Sequence, residues 1–314
     1  MLLVKGYSRD DISWSIGSLF AHDASTWKIL RVCREINEDS HIRSVFGGIP
    51  CIMQGGRIPP LDMKISTAKK IIDMYNSLNV ACCLTFSNPE IEREDLDDFT
   101  SNQLLKIIHE NAKSFNVQNS VLVTSDLLKT YIQDTYPDLK INASILKPSI
   151  EIGLGQDDFT YYNSLLNPEA GFELVNINSF KLYEERFLSR LENISRAEFV
   201  VNHHCLPNCP KAKEHYLLLS RLSRKLCRNE KAPEEEQALR GVVEYCYQTK
   251  MKFPLAGTSY SISDIEHLIS LGARHFKIEG REVDHKTFLR DLGDYVFEHN
   301  VFSRIAQSIM EEVI

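Results

Sequence analysis

Two imidazoles and two thiols occur close together in the stretch NHHCLPNCP, which occupies positions 202–210. An apolar segment from Ala197 to Val201 precedes it and has the pattern of a short buried strand. Pro210 suits the first turn of a following helix, which we expect to end near Arg228. Thiols at such a strand-to-helix junction lie near helix N–H dipoles, which favour the thiolate. Because thiolates bind metals and attack electrophiles, the stretch predicts a site of chemistry.

The two cysteines of this stretch, Cys205 and Cys209, have three residues between them. Structural zinc sites use a C-x-x-C spacing and a second matching pair, so a zinc ribbon is disfavoured. Iron–sulfur ligands need not be close in sequence, so we predict that Cys51 and Cys246 complete a four-thiol set. Binding of a cluster or of another metal ranks first, buried structural thiols without metal rank second, and a redox or nucleophilic pair ranks third.

The histidines near these cysteines have less specific roles. Neighbouring side chains on a strand point to opposite sides, so at most one of His203 and His204 is expected to face the site. His215 lies on the predicted following helix, where a ligand role and a packing role are equally compatible with its position. We therefore assign none of the three as a metal ligand.

A second chemical motif is HFKIEGR at positions 275–281. Strand alternation places Lys277 and Glu279 on one face and the intervening apolar residues on the other. We predict Glu279, Lys277 and Arg281 as catalytic residues, with Arg281 clamping an anionic substrate and Glu279 acting as general base. The alternative, which the pattern leaves open, is a buried network of ion pairs.

Apolar strands alternate with amphipathic helices from residue 42 almost to the end of the chain, a pattern typical of parallel βα units. The sequence predicts eight strands, namely Ile42–Gly47, Asn79–Phe86, Ser120–Thr124, Lys140–Leu146, Phe172–Asn176, Ala197–Asn202, Lys252–Ala256 and His275–Glu279. No glycine-rich phosphate turn follows the first of them, so the fold class is α/β with a TIM-like (β/α)8 barrel. In such a barrel the residues just beyond the strands meet at one face, which brings both motifs together.

The predicted domain organisation is simple. Residues 1–40 form an N-terminal extension packed on the barrel, and residues 41–314 form the barrel. Its last part, from His285 to Val313, has apolar residues at helical spacing and predicts closing helices.

Composition narrows the class of protein. The chain has 314 residues, of which 43% are hydrophobic and 25% charged, and its net charge of -7 implies no general binding to nucleic acid. It has no long apolar run and no recognisable signal peptide, so we expect no membrane association and a cytoplasmic location. It also lacks a serine-hydrolase elbow, a zincin helix and a P-loop, so these three catalytic classes are disfavoured. The eight cysteines are then expected to be reduced. A small or a polymeric substrate, and a homo-oligomer or a hetero-oligomer, all remain open.

Both motifs resemble the collagenase-like peptidase family, peptidase family U32. The segment SDIEHLISLGA at 263–273, followed by FKIEGR at 276–281, is similar to a helix and strand of that family, and 202–216 is similar to its cysteine-bearing region. The resemblance implies a TIM-like barrel, with Cys205 and Cys209 as ligands and with Lys277, Glu279 and Arg281 as the strand motif. Members of that family often carry another cysteine or cysteine pair shortly upstream, whereas this chain has none between Cys83 and Cys205.

The resemblance implies two activities, peptide hydrolysis and the oxygen-independent hydroxylation of ubiquinone or RNA by proteins with a four-iron cluster. We expect an iron–sulfur oxidoreductase or hydroxylase-like protein acting on a polar substrate. The alternatives are a peptidase-type hydrolase that uses a metal or a thiol, and a noncatalytic accessory barrel in a hetero-oligomer.

Overall fold

A computed structural model describes most of the chain. The described residues are 12–37, 40–55, 63–152, 159–179, 181, 184–203, 205–206, 209–252, 258–280 and 284–311.

Eight parallel strands form a closed barrel, which confirms the predicted TIM-like fold. The barrel strands are β1 (Ser13–Ile16), β2 (Ile42–Gly47), β3 (Ala81–Phe86), β4 (Ser120–Val123), β5 (Lys140–Ala143), β6 (Val175–Ile177), β7 (Ala197–Val200) and β10 (His275–Ile278). Around the barrel their order is β1, β10, β7, β6, β5, β4, β3 and β2. Strands such as β4 and β7 are buried along their whole length, because helices cover the outside and side chains fill the inside.

Helices lie around this sheet, and several of them pack an apolar face against it. They are α1 (Asp23–Glu35), α2 (Ile65–Ser77), α3 (Phe99–Phe115), α4 (Asp126–Thr135), α5 (Leu146–Glu151), α6 (Phe159–Leu166), α7 (Glu185–Leu188), α8 (Ala212–Cys227), α9 (Pro233–Lys252), α10 (Ile262–Ser270), α11 (His285–Tyr295) and α12 (His299–Glu311). In α2, for example, Ala68, Ile72 and Tyr75 recur at helical spacing and are fully buried.

The first strand differs from the sequence prediction. Ser13–Ile16 pairs with β10 on one side and β2 on the other, so this part of the predicted N-terminal extension is a strand of the barrel. The strand predicted at 252–256 is not part of this barrel as described, because Lys252 ends α9 and 253–256 lie outside the described residues. Trp14 and Ile16 are buried while Ser13 and Ser15 are less so, which is the alternation expected of a short strand.

The chain leaves the barrel after β7 and forms a small two-stranded sheet. Strand β8 (Asn202–His203) pairs antiparallel with β9 (Thr258–Ser259). The Val201 N–H still donates to the carbonyl of Lys277, at 2.9 Å, so β8 begins beside the end of β10. The pair of helices α8 and α9 lies between β8 and β9 in the chain, and this excursion carries the cysteines of the 202–210 stretch.

Within the described ranges, none of the helices is both long enough and apolar enough to cross a bilayer.

Candidate active site

A cavity of about 100 Å³ lies at the carboxyl ends of the barrel strands, and we name it the mouth cavity. All eight barrel strands, or the residues directly after them, contribute to its lining. Its polar residues are Thr85, Ser87, Ser144, Asn176, His203, Tyr216, Lys277 and Glu279. This is the face at which barrel enzymes place their active sites.

A second cavity of about 60 Å³ adjoins the first, and we name it the thiol chamber. Three of the four predicted cysteines, Cys205, Cys209 and Cys246, line it. His203 and Tyr216 line both cavities and therefore form the wall between them. The cysteine stretch and the end of β10, predicted from separate motifs, thus meet at one place.

His203 connects the two motifs. Its Nδ1 lies 3.5 Å from Glu279 Oε1, and its side chain is only 6% exposed. Burial alone would lower the pKa of His203, but the charge of Glu279 and hydrogen bonds with Cys205 and Glu279 raise that pKa to about 10. His203 is therefore an imidazolium at neutral pH, held between a carboxylate and a thiol.

Asn202 fixes the position of Glu279. Its side-chain oxygen accepts a hydrogen bond from the Glu279 N–H at 2.7 Å, and its amide donates to the Glu279 carbonyl at 2.8 Å. The same amide donates to Asp291 Oδ2, also at 2.8 Å. Asn202 is 2% exposed, so these bonds are shielded from water and hold β8 and the end of β10 in one register.

Tyr216 holds the other side of the thiol. Its hydroxyl lies 3.4 Å from Cys205 Sγ, and its ring stacks on that of His215 with centroids 5.7 Å apart. His215 therefore has a packing contact with Tyr216 at the chamber wall.

Lys277 lines the mouth cavity and makes a buried ion pair. Its Nζ lies 3.2 Å from Glu198 Oε2 and 4.1 Å from the centroid of the Phe46 ring. Ser15 donates to the other carboxylate oxygen of Glu198 at 2.6 Å. The strand charges can be interpreted either as catalytic residues or as a buried network of ion pairs. Lys277 is part of such an ion-pair network, whereas Glu279 is paired with His203.

Cys51 does not join the other three predicted ligands. It lines a separate cavity together with Ser223 and Cys227 near the end of α8, whereas Tyr216 of the chamber wall lies nearer the start of that helix. The stretch of α8 from Tyr216 to Ser223 is about 10 Å long. Burial also raises the pKa of Cys51 to about 12, which disfavours a thiolate there.

The described residues consequently do not fit a cluster held by the four predicted cysteines. Across the ranges that the structure describes, no group of three or more His, Cys, Asp or Glu side chains is placed to hold a metal ion. Burial raises the pKa of Cys209 despite its hydrogen bonds with backbone N–H groups, so the expected thiolate at the start of the helix is not favoured for Cys209. Arg281 and His204 lie outside the described residues.

Sequence reasoning missed Glu198 and gave no role to Asn202 or Tyr216. Glu198 had a detectable signal, since a carboxylate inside the apolar segment 197–201 needs a buried partner. The contact between Tyr216 and Cys205 had none, because it depends on how α8 is oriented over the barrel.

The fold and site define a TIM-like barrel protein with a polar cavity at the carboxyl ends of its strands. Comparison with models of known protein families, and with curated proteins, finds no match. Among solved structures, the chain is similar to that of the U32 peptidase Mk0906, with a TM-score of 0.51 over 85% of this chain and 91% of that chain. The sequence identity is 11%, so the likeness concerns the fold.

Proposed function

We propose that the protein is a thiol hydrolase that cleaves an amide through Cys205, His203 and Glu279. The observation that carries the proposal is the position of His203, which interacts with Cys205 and also lies 3.5 Å from Glu279 Oε1. A nucleophile, a proton carrier and an orienting carboxylate in this order are the parts that covalent acyl transfer requires. The structural similarity to a U32 peptidase supports an amide as the substrate.

The reaction proceeds in two halves. Cys205 Sγ attacks the acyl carbon of the amide as the thiolate that is paired with the His203 imidazolium. The imidazolium then protonates the departing nitrogen, so the C–N bond breaks as the thioester forms. Water then attacks the thioester and gives a proton to the now neutral His203, which releases the acid and restores Cys205. Glu279 orients the ring and stabilises its charged form, and Asn202 keeps Glu279 in place.

The test compares the two cysteines of the 202–210 stretch. A library of internally quenched peptides and simple amides is screened with wild type, Cys205→Ala, Cys209→Ala and His203→Gln, all purified without oxygen. Loss of the nucleophile should reduce turnover by about 1,000-fold or more, and loss of His203 by a comparable factor. Cys209→Ala is the matched control and should stay within a few-fold of wild type. Equal losses in the two cysteine variants would contradict the proposal.

A second candidate is the iron–sulfur oxidoreductase, which is favoured by the three thiols that line one chamber. Thiolates are the usual ligands of such clusters, but the described residues supply no fourth cysteine to this chamber. Iron and sulfide content and visible absorbance are measured on the same anaerobic preparations. For this candidate, both signals should be present in wild type and lost in Cys205→Ala and in Cys209→Ala alike.

A further inference from the structure

Two polar side-chain atoms in residues that line the mouth cavity have no hydrogen-bond partner within the described parts of the chain. Thr85 Oγ1 and Asn176 Nδ2 are buried atoms without a hydrogen bond, and the two residues are 6% and 1% exposed. Buried polar atoms are nearly always hydrogen-bonded, because an unpaired one has lost its bonds to water without replacement. An unpaired atom in the wall of a cavity at the catalytic face therefore points to a ligand that completes its bonding.

The charged residues of the same cavity are already paired. Lys277 Nζ lies 3.2 Å from Glu198 Oε2, and His203 Nδ1 lies 3.5 Å from Glu279 Oε1. A ligand carboxylate would have to displace Glu198 from Lys277 or Glu279 from His203, and would leave a buried charge without its partner. An incoming cation would meet Lys277 and the His203 imidazolium. The cavity is thus unsuited to either charge and suited to a neutral polar group.

We infer that Asn176 and Thr85 form a subsite for an uncharged carboxamide group of the substrate. The Asn176 amide nitrogen only donates, so it requires an acceptor such as a carbonyl oxygen. The Thr85 hydroxyl both donates and accepts, so it can take the N–H of the same group. The two residues come from β6 and β3, which are separated around the barrel by β5 and β4, so they reach the ligand from different sides.

Gly48 supports the position of Thr85. A Cβ at Gly48 would lie 2.8 Å from Thr85 Oγ1 and 2.8 Å from Gln54 Cγ, so a larger residue there would push the hydroxyl from its place.

The inference deepens the proposed function, and rests on it for the identity of the reacting thiol. It replaces the expected anionic substrate with a neutral one.

Binding is tested with two probes that differ in one group. N-acetylglycinamide carries a neutral carboxamide, and N-acetylglycine carries a carboxylate at pH 7.5 in nearly the same shape. Saturation-transfer NMR titrations give the Kd of each probe for wild type, Asn176→Leu, Thr85→Val and Thr124→Val. Thr124→Val is the matched control, because Thr124 Oγ1 is also buried and without a hydrogen bond within the described residues, but Thr124 does not line the cavity.

The neutral probe should bind wild type at least about tenfold more tightly than the charged one, because the charged probe must break an existing ion pair. Asn176→Leu and Thr85→Val should each weaken binding of N-acetylglycinamide about five- to tenfold, the value of one neutral hydrogen bond. Both variants are close in shape to the original residues and should unfold at the same or a higher temperature than wild type. Thr124→Val should bind the probe like wild type.

Three results would overturn the inference: no binding of the neutral probe to wild type, equal or tighter binding of N-acetylglycine, or equal effects of Thr85→Val and Thr124→Val. The titrations and the turnover assay of wild type and Cys205→Ala together separate the two proposals. Probe binding without any thiol-dependent turnover would retain the subsite and reject the hydrolase. Thiol-dependent turnover, combined with probe binding that is unchanged in Asn176→Leu and Thr85→Val, would retain the hydrolase and reject the subsite.

Discussion

His203 Nδ1 lies 3.5 Å from Glu279 Oε1, across the short gap between β8, which has left the barrel, and the end of barrel strand β10. The histidine is almost closed to water, whereas the glutamate side chain is 27% exposed at the cavity. Desolvation favours the neutral imidazole, but the nearby charge of Glu279 and the hydrogen bonds with Cys205 and Glu279 together outweigh it and raise the pKa of His203.

The first prediction concerns stability against pH. The folded-state pKa of His203 is about 10, above the value near 6.5 of an exposed histidine, so the folded protein binds more protons than the unfolded chain between these values. The resulting stabilisation is complete below about pH 6.5 and is lost as pH rises through about 10. In Glu279→Gln this loss should be smaller, as measured by urea unfolding between pH 6 and pH 10.

An exposed pair provides the control for this measurement. His267 Nε2 lies 3.2 Å from Glu185 Oε2, but both side chains are well exposed, so water screens the interaction. Glu185→Gln should follow the wild-type pH dependence. If Glu185→Gln and Glu279→Gln changed the pH dependence of the free energy of unfolding equally, the buried pair would have no special role.

The second prediction concerns Asn202. Asn202→Ala removes three hydrogen bonds that join β8 to the end of β10 and to α11, and should lower the free energy of unfolding by about 1–3 kcal/mol. Turnover in the hydrolase assay should also fall, because Glu279 loses the contact that orients it. Asn102→Ala removes bonds to the carbonyls of Leu96 and Asp98 and serves as the control. It should destabilise the protein without the additional loss of turnover, and equal turnover in both variants would refute a positioning role for Asn202.

The third prediction concerns the pair of Lys277 and Glu198. Removing one member should cost about 3–5 kcal/mol, because the remaining charge stays buried without a partner. Thermal or urea unfolding of Lys277→Met and of the double variant Lys277→Met/Glu198→Leu tests this, and the double variant should recover most of the loss. Lys69→Met breaks an exposed pair with Asp73 at 2.7 Å and should cost less than about 1 kcal/mol. If Lys277→Met lowered the free energy of unfolding as little as Lys69→Met, the ion pair of Lys277 and Glu198 would not stabilise the fold as proposed.

The fold was predictable to the extent that strands were apolar and regular. Seven of the eight barrel strands follow the predicted positions, and β2 matches its predicted bounds, Ile42–Gly47. β1 was missed because it has four residues and two of them are serines that face less buried surroundings.

The site was predictable where it depends on strand ends and not where it depends on helix orientation. The topology of a barrel brings the ends of β7 and β10 together, so the meeting of the 202–210 stretch with Glu279 followed from the pattern. The grouping of Cys51 with Cys209 required a contact between the loop after β2 and the start of α8, and no periodicity encodes that contact. The structure instead places Cys51 beside the far end of α8, in the cavity that Cys227 also lines.

The last prediction concerns the reactivity of the thiols. Burial raises the pKa of Cys51 to about 12 and places the pKa values of Cys82 and Cys83 above their usual value, so these thiols carry little thiolate at pH 7.5 and are shielded as well. Limited iodoacetamide labelling of the folded protein, read by peptide mass spectrometry, should leave them unmodified and should modify Cys205 first. Glu279→Gln should slow modification of Cys205, because His203 then stabilises the thiolate less. Labelling in guanidinium is the control, since it should expose all eight cysteines equally. Modification of Cys209 before Cys205 in the folded protein would contradict the assignment of the nucleophile, because burial raises the pKa of Cys209.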